Sequence, residues 1–260
     1  MIDISEYKYK YETHLHTCEA SACAKCPGKD MVKAAKEAGY AGAFVTDHAW
    51  GGNTCVDKSL PWKEWIELFK RGYENAKEWG EANDFAVFFG YEAGYNGTEF
   101  LIYGLTPEWL IEHEEIRTAS IEEQMGIVHS GGGIVVHAHP YREEYYIPEI
   151  RLFPEYVDGV EAVNATHSSH LSTAHNDHNF DIRAIAYAKK HGFFMTAGSD
   201  VHSTLMLGGG MLCNRKLTSP QDYIDMVKSD RMYLLTDGDR IYDRYANLLT
   251  QEPYESIKNS

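Results

Sequence analysis

The sequence is short of positive charge. Lys and Arg number 24 against 39 Asp and Glu in 260 residues, a formal net charge of −15. Nucleic-acid binders carry a basic stripe or patch, and docking on anionic lipid needs a basic cluster, so neither partner is expected. No apolar run approaches the 18 or more residues of a membrane span. Met1 to Glu12 alternates charged and aromatic residues, with no apolar signal core or small-residue cleavage site. Cysteine is sparse and odd in number: Cys18, Cys23, Cys26, Cys55 and Cys213, irregularly spaced. That pattern reads as reduced thiols in the cytoplasm, where disulfides are rare. Cys23-Ala-Lys-Cys26 lacks the second CxxC of a zinc ribbon and reads as a loop with two free thiols. Gly208 to Gly210 lacks the Lys-Ser/Thr of a P-loop and reads as a flexible turn near the pocket. Internal repeats, low-complexity segments and linkers are missing too, so residues 1–260 are taken as one barrel-sized domain.

What is present is an alternation of short apolar runs with longer amphipathic ones, the pattern of βα units. Strands are expected at Tyr7–Thr13, Gly42–Thr46, Phe85–Phe89, Glu99–Tyr103, Ile134–Val136, Gly159–Val163, Phe193–Ala197 and Met232–Leu235. Helices are expected at Asp30–Ala38, Trp62–Glu81, Ser120–His129 and Asn176–His191, and a last one opens at Ser219-Pro220. Ser120 with Glu123 forms a capping box. The tail from Asp237 is polar and has no assigned structure. A parallel sheet closed into a barrel fits this order, and so does an open doubly wound sheet, because both bury strands on two faces.

Histidine is plentiful at 13 residues, and its placement is informative. Metal-type residues follow successive strand-like runs: His14 and His16, Asp47 and His48, Glu92, His137 and His139, Glu161 and Asn164, Asp200 and His202. In a parallel barrel the strand C-termini share one face, where active sites lie. Six chain-distant groups would then converge. In extended chain, residues i and i+2 point to the same side, so His14 and His16 can reach one ion while Leu15 faces away. Mixed imidazole and carboxylate donors suit Zn, Mn or Fe better than Ca. More than four candidates suggests more than one ion, and Glu92 has two oxygens with which to bridge. His113, His129 and His191 read as helix-surface or capping residues. Most of His167, His170, His175 and His178 read as solvated.

These motifs resemble the PHP (polymerase and histidinol phosphatase) superfamily. The resemblance rests on His14-Leu-His16, Thr46-Asp-His48, Glu92 with Ala138-His-Pro140, and Gly198-Ser-Asp-Val-His202, with Asp158 to Asn164 between them. It spans about residues 11 to 203. It implies a distorted (β/α)7 barrel with two or three divalent transition-metal ions (Zn, Mn or Fe) and phosphoester hydrolysis. By matching position, His14, His16, Glu92 and Asp200 would hold a first ion, with Glu92 bridging to a second. His139 would serve the second, and His48 and His202 a third. Two departures stand out. Ser21 occupies a position where many members have Asp or His, and Glu19 is assigned to the third ion in its place. Tyr103 stands where many members have a histidine on the strand after the Glu.

The expected activity is hydrolysis of a phosphomonoester, or a small phosphodiester, of a metabolite. A metal lowers the pKa of bound water from near 16 to about 7, supplying hydroxide at neutral pH. The ions also explain how so acidic a chain binds an anion. Arg142, three residues past His139, is placed as a bidentate phosphate donor. Asp47 is placed behind the ligands, orienting a histidine. A metal-dependent C–N hydrolase of amidohydrolase type shares this chemistry and stays open, as does a non-catalytic metal-binding domain. Substrate choice is expected to lie in loops 17–29, 49–60, 141–156 and 165–180.

Overall fold

The structure is a computed structural model that describes residues 2–254 and 256. Its spine is an eleven-stranded mixed sheet in the order β11-β10-β9-β8-β1-β2-β3-β4-β5-β6-β7. The central strands are β1 (Tyr9–Leu15), β2 (Tyr40–Val45), β3 (Ala86–Tyr95), β4 (Thr98–Tyr103), β5 (Ile134–His137), β6 (Gly159–Asn164) and β7 (Phe194–Gly198). Pairing is parallel for β1–β2, β2–β3, β5–β6 and β6–β7. Just past β7, Val201 bridges Leu15 in parallel. His16 N donates to Val201 O (3.0 Å) and Val201 N to His14 O (3.1 Å), so the curled sheet meets its own first strand. The open doubly wound alternative does not make this return contact.

The alternation is less regular than seven βα units. β3 and β4 are joined by Asn96-Gly97 with no helix between them, and β4 runs antiparallel to both β3 and β5. Asn96 and Gly97 both have positive φ, +50° and +87°. Asn-Gly is the residue pair that such a two-residue hairpin turn favours. No helix lies between β5 and β6 either. Strands β8 (Gly210–Cys213), β9 (Tyr233–Thr236), β10 (Ile241–Tyr242) and β11 (Leu248–Thr250) extend the sheet as an antiparallel meander from β1. Gly210 therefore opens a strand. At φ +131°, a Cβ there would lie 2.3 Å from Tyr11 O, so glycine lets β8 pack on β1.

The helices are α1 (Gly28–Glu37), α2 (Trp62–Phe69), α3 (Arg71–Ala82), α4 (Pro107–Glu112), α5 (Ile121–Ser130), α6 (Ala165–Ser168), α7 (Asn179–His191) and α8 (Pro220–Asp225). The long helix expected over 62–81 is two, broken at Lys70. The break falls beside Gly72, where a Cβ would lie 1.9 Å from Thr17 Oγ1. The missing side chain lets α3 touch the loop after β1. The capping box of α5 is formed: Ser120 Oγ accepts from Glu123 N and Glu123 Oε2 from Ser120 N. Outside the sheet, Trp62, Trp65, Ile66 and Phe69 of α2 pack against Phe89, Tyr91 and Phe100. Within the curl, Phe44, Phe88, Leu101, Tyr103 and Val136 form a second apolar core. The strands that carry the polar residues at their ends are thus fixed from both sides. Among the described residues, no helix is long and apolar enough to cross a membrane.

Candidate metal centre

Six strands pointing one way bring their C-terminal residues to one end of the curl. His14 and His16 come from the end of β1, Asp47 and His48 from beyond β2, and Glu92 from β3. His139 follows β5, and Asp200 and His202 follow β7. Four groups of donor atoms lie within 4.8 Å of one another: His14, His16 and Glu92; His14, His139 and Asp200; His48, Glu92 and Glu99; and His16, His48 and His202. Glu92 is central. Its Oε1 is 3.2 Å from both His14 Nε2 and His139 Nε2, and its Oε2 is 2.6 Å from His48 Nδ1.

Glu99 is the residue sequence reasoning missed. Because β4 is reversed, its first residues, not its last, lie at this end of the sheet. Glu99 Oε1 approaches His48 Nδ1 (3.9 Å) and Oε2 approaches His139 Nε2 (3.6 Å). Tyr103 lies at the far end of the strand, in the apolar core, where its hydroxyl donates to Thr13 O (2.8 Å). The signal that finds Glu99 is Asn96-Gly97: a tight hairpin turn fixes the direction of the next strand.

Behind these donors stand groups that aim them. Glu161 Oε1 lies 2.9 Å from His14 Nδ1, turning Nε2 toward Glu92 and Asp200. Such carboxylate–histidine pairs fix the tautomer and ring orientation of a metal-binding imidazole. His16 Nδ1 contacts Ser21 Oγ (3.3 Å), which donates to Asp47 Oδ1 (2.7 Å). Thr17 N and Oγ1 also donate to Asp47 (2.6 and 2.7 Å). Burial pushes the Asp47 carboxyl up to about 6 against these bonds. Asp47 and Ser21 therefore act on His16 from behind it. His139 (φ +27°) and Asp200 (φ +51°) both adopt left-handed backbone. Non-glycine residues held this way cost of order 1–3 kcal/mol and cluster at functional sites.

Arg142 is buried beside the donors. Its Nη2 donates to Asp200 Oδ2 (2.6 Å) and Thr166 Oγ1 (3.1 Å), and its Nε to His167 Nε2 (3.2 Å). His167 is not solvated: it is 2% exposed, and its Nδ1 lies 2.6 Å from Asp181 Oδ1. The chain Asp181–His167–Arg142–Asp200 commits Nε and Nη2, leaving Nη1 as the guanidinium nitrogen outside these bonds. A fork through Nη1 and Nη2 together, as expected from sequence, is not open to it. His170, His175 and His178 instead pair with Asp239, Glu144 and Asp181. His113 stacks on Trp109, and His129 bonds Asp158.

Glu19 is placed elsewhere. Its carboxylate accepts from Gly28 N (3.2 and 3.0 Å) and Asn75 Nδ2 (3.0 Å), and it belongs to none of the four donor groups. The first N–H of α1 has no cap from Pro27, and a carboxylate at a helix start meets that need. The structure thus places Glu19, expected from sequence at the third ion, at the start of α1. We expect Glu19→Ala to keep its full metal content and to lose about 0.5–2 kcal/mol of stability, the range for a lost cap. Urea unfolding with elemental analysis checks both.

The electrostatics suit cations. Burial and then Glu92 push the Glu99 carboxyl up to about 7, so the two carboxylates repel. Burial opposes ionisation of Glu92, but His14 and His48 outweigh it and hold the carboxyl well below its usual range. Burial lowers His16 well below the histidine range, and neighbouring His48 and His202 lower it further. His14 Nε2 and His16 Nε2 are buried and make no well-aligned hydrogen bond, while His48 Nδ1 and Glu92 Oε2 face each other at 2.6 Å. Unpaired buried donors and carboxylates are costly unless they coordinate metal. These residues therefore fit an ion cluster. Burial also pushes the Cys23 thiol up, but hydrogen bonds with His202 and His48 outweigh it and bring the thiol down to about 6. A groove of about 1030 Å³, lined by Tyr73, Lys77, Asp84 and Lys216, holds none of these donors.

A family model described as the PHP domain matches residues 12–194. The chain belongs to the PHP family. A search of curated proteins finds no match. The fold is similar to a two-domain protein of Bacteroides vulgatus ATCC 8482 containing a predicted PHP-like metal-dependent phosphoesterase. That likeness has a TM-score of 0.67 at 13% identity, covering 90% of this chain and 66% of that one. This chain thus spans just under two thirds of that longer protein. It is also similar to PsfC from Pseudomonas syringae PB-5123, with a TM-score of 0.55 at 18% identity, covering 83% and 87% of the two chains.

Proposed function

We propose that this protein is a metal-dependent hydrolase of phosphomonoesters or small phosphodiesters on a metabolite. The observation that carries the reading is the convergence of buried His14 Nε2 and His16 Nε2, neither with a well-aligned hydrogen bond, on Glu92, beside Asp200, His139 and His48. His14, His16, Glu92 and Asp200 would hold one ion, His139 and Glu99 a second together with Glu92, and His48 and His202 a third. Bound divalent ions supply Lewis acidity toward a phosphoryl oxygen and acidify water.

The chain's own residues do the rest. Glu161 keeps the His14 proton on Nδ1, and Ser21 with Asp47 keeps the His16 proton on its own Nδ1, so both Nε2 lone pairs face the pocket. Arg142 is held against rotation by Asp200, Thr166 and His167, which leaves the Nη1 N–H groups to meet a phosphoryl oxygen. His202 (23% exposed) and Glu99 (16%) are the most open of the donors, so substrate enters over them. Neither nucleic acid nor membrane is part of this reading, and zinc, manganese and iron all suit the donor set.

A screen of phosphorylated metabolites with Mn, Zn and Fe supplied separately tests it, run beside a panel of amides. Phosphate release that depends on added metal is the expected result. Cleavage confined to amides would move the protein to C–N hydrolysis. No turnover of any ester with metals loaded would make it a binding domain.

A further inference from the structure

Two of the groups that hold Arg142 have their own protons turned away from it. A guanidinium has donors and no acceptor. His167 Nε2, 3.2 Å from Arg142 Nε, therefore carries a lone pair, and the ring's one proton sits on Nδ1, 2.6 Å from Asp181 Oδ1. Thr166 Oγ1 accepts from Arg142 Nη2 (3.1 Å), so it sends its own hydrogen to Asn164 Oδ1 (2.5 Å). The Asn164 amide is fixed in turn. Its Nδ2 donates to Glu161 Oε2 (2.9 Å) and its Oδ1 accepts from Thr166 N (3.0 Å). Two hydrogen-bond relays, one from Asp181 and one from Asn164, end on the same side chain.

The relay from Asp181 sets both the proton and the plane of the imidazole. Asp181 is buried in the first turn of α7, and its Oδ1 also accepts from Asn164 N (3.2 Å), which anchors the carboxylate to the end of β6. His167 is buried in α6, and Phe180 meets its ring edge to face at 5.2 Å between centroids. Neither Asp181 nor His167 belongs to the four donor groups of the metal centre. A carboxylate–histidine pair that faces an arginine instead of an ion acts on whatever the arginine holds.

We propose that Asp181 and His167 are positioning residues for substrate phosphate: Asp181 fixes the Nδ1–H tautomer of His167, and His167 holds Arg142 so that Nη1 is left for a phosphoryl oxygen. This rests on the reading of Arg142 as the phosphoryl contact. The same proton count says what breaks the device. An amide in place of Asp181 no longer demands a proton on Nδ1. A proton that moves to Nε2 meets the Arg142 Nε–H, donor against donor. In the serine protease triad an Asp→Asn change disables the histidine in this way, through the wrong tautomer.

Full-length protein loaded with zinc tests this with two readouts, neither of which needs turnover. The first is imidazole nitrogen NMR, in which the His167 ring is identified by the signals lost in His167→Gln and should be protonated on Nδ1 alone. The second is calorimetric binding of inorganic phosphate. Asp181→Asn and His167→Phe should weaken it about tenfold or more, the value of a hydrogen bond to a charged group, as Arg142→Met should. His167→Gln, whose Oε1 can accept from Arg142 Nε, should keep most of the affinity. Asp181→Asn added to Arg142→Met should cost nothing further. A wild-type His167 protonated on Nε2 overturns the proposal. So does a phosphate affinity unchanged in Asp181→Asn and His167→Phe, or unchanged in Arg142→Met, and either result leaves the metal cluster standing. Zinc-loaded wild type that binds no phosphate overturns this proposal and the phosphoester reading together. The wild-type spectrum decides if the variants fold poorly.

Discussion

Glu92→Gln will lose more metal and more activity than any change to the groups behind the ligands. Glu92 uses both oxygens, one toward His14 and His139 and the other toward His48, and it lies in two donor groups. An amide offers one neutral oxygen in place of two that share a charge, so two ions are weakened by one substitution. The side chain is 1% exposed, and solvent cannot compensate. The comparison variant is Asp47→Asn, whose side chain touches Thr17 and Ser21 and reaches His16 only through the serine. Losses of about 10- to 100-fold are typical when such an orienting partner is removed, and Glu92→Gln should exceed that range. Elemental analysis after purification without chelator should show metal content falling in Glu92→Gln and largely kept in Asp47→Asn. Equal losses of activity with metal content unchanged in both would place Glu92 behind the ligands instead.

Much of this centre was legible because its residues sit directly after apolar runs. His14, His16, His48, Glu92, His139, Asp200 and His202 each follow a strand whose burial pattern reads plainly, and a parallel arrangement sends all strand ends one way. What was not legible depends on direction and loop path. Glu99 stands at the start of its strand and not after its end, so it reaches the centre only because Asn96-Gly97 reverses β4. Glu19 lies in a loop without apolar periodicity, whose path is decided by how it pairs with residues 53 and 54. His167 looked like part of a polar loop, yet a four-residue helix turns it inward onto Asp181. Within the meander, β9 was legible as Met232–Leu235, whereas β8, β10 and β11 escaped because strands of four, two and three residues carry no readable alternation. Lys70 was hidden because hydrophobic period survives a break that shifts the backbone but not the buried face, as Trp65, Phe69 and Tyr73 show.

Arg142→Met should be the most destabilising change near the centre in metal-free protein. Arg142 and Asp200 are 4% and 2% exposed, and their Nη2–Oδ2 distance is 2.6 Å. Burial opposes ionisation of Asp200, but His14 and Arg142 outweigh it and hold the carboxyl well below its usual range. Removing the guanidinium leaves a buried carboxylate without that partner, a loss of about 3–5 kcal/mol for a broken buried pair. It also strands His167 Nε2, which accepts from Arg142 Nε. The size of the effect separates charge from packing, because methionine fills most of the arginine's volume. Adding Asp200→Asn to Arg142→Met removes the unpaired charge, so the double variant should recover part of the loss. Urea unfolding of the metal-free proteins gives the comparison. Binding of an ion at Asp200 should also narrow the gap between Arg142→Met and wild type, since the ion takes over the missing positive charge. A single variant as stable as wild type, or a double variant no better than the single, would mean that Asp200 draws its support from His14 and not from Arg142.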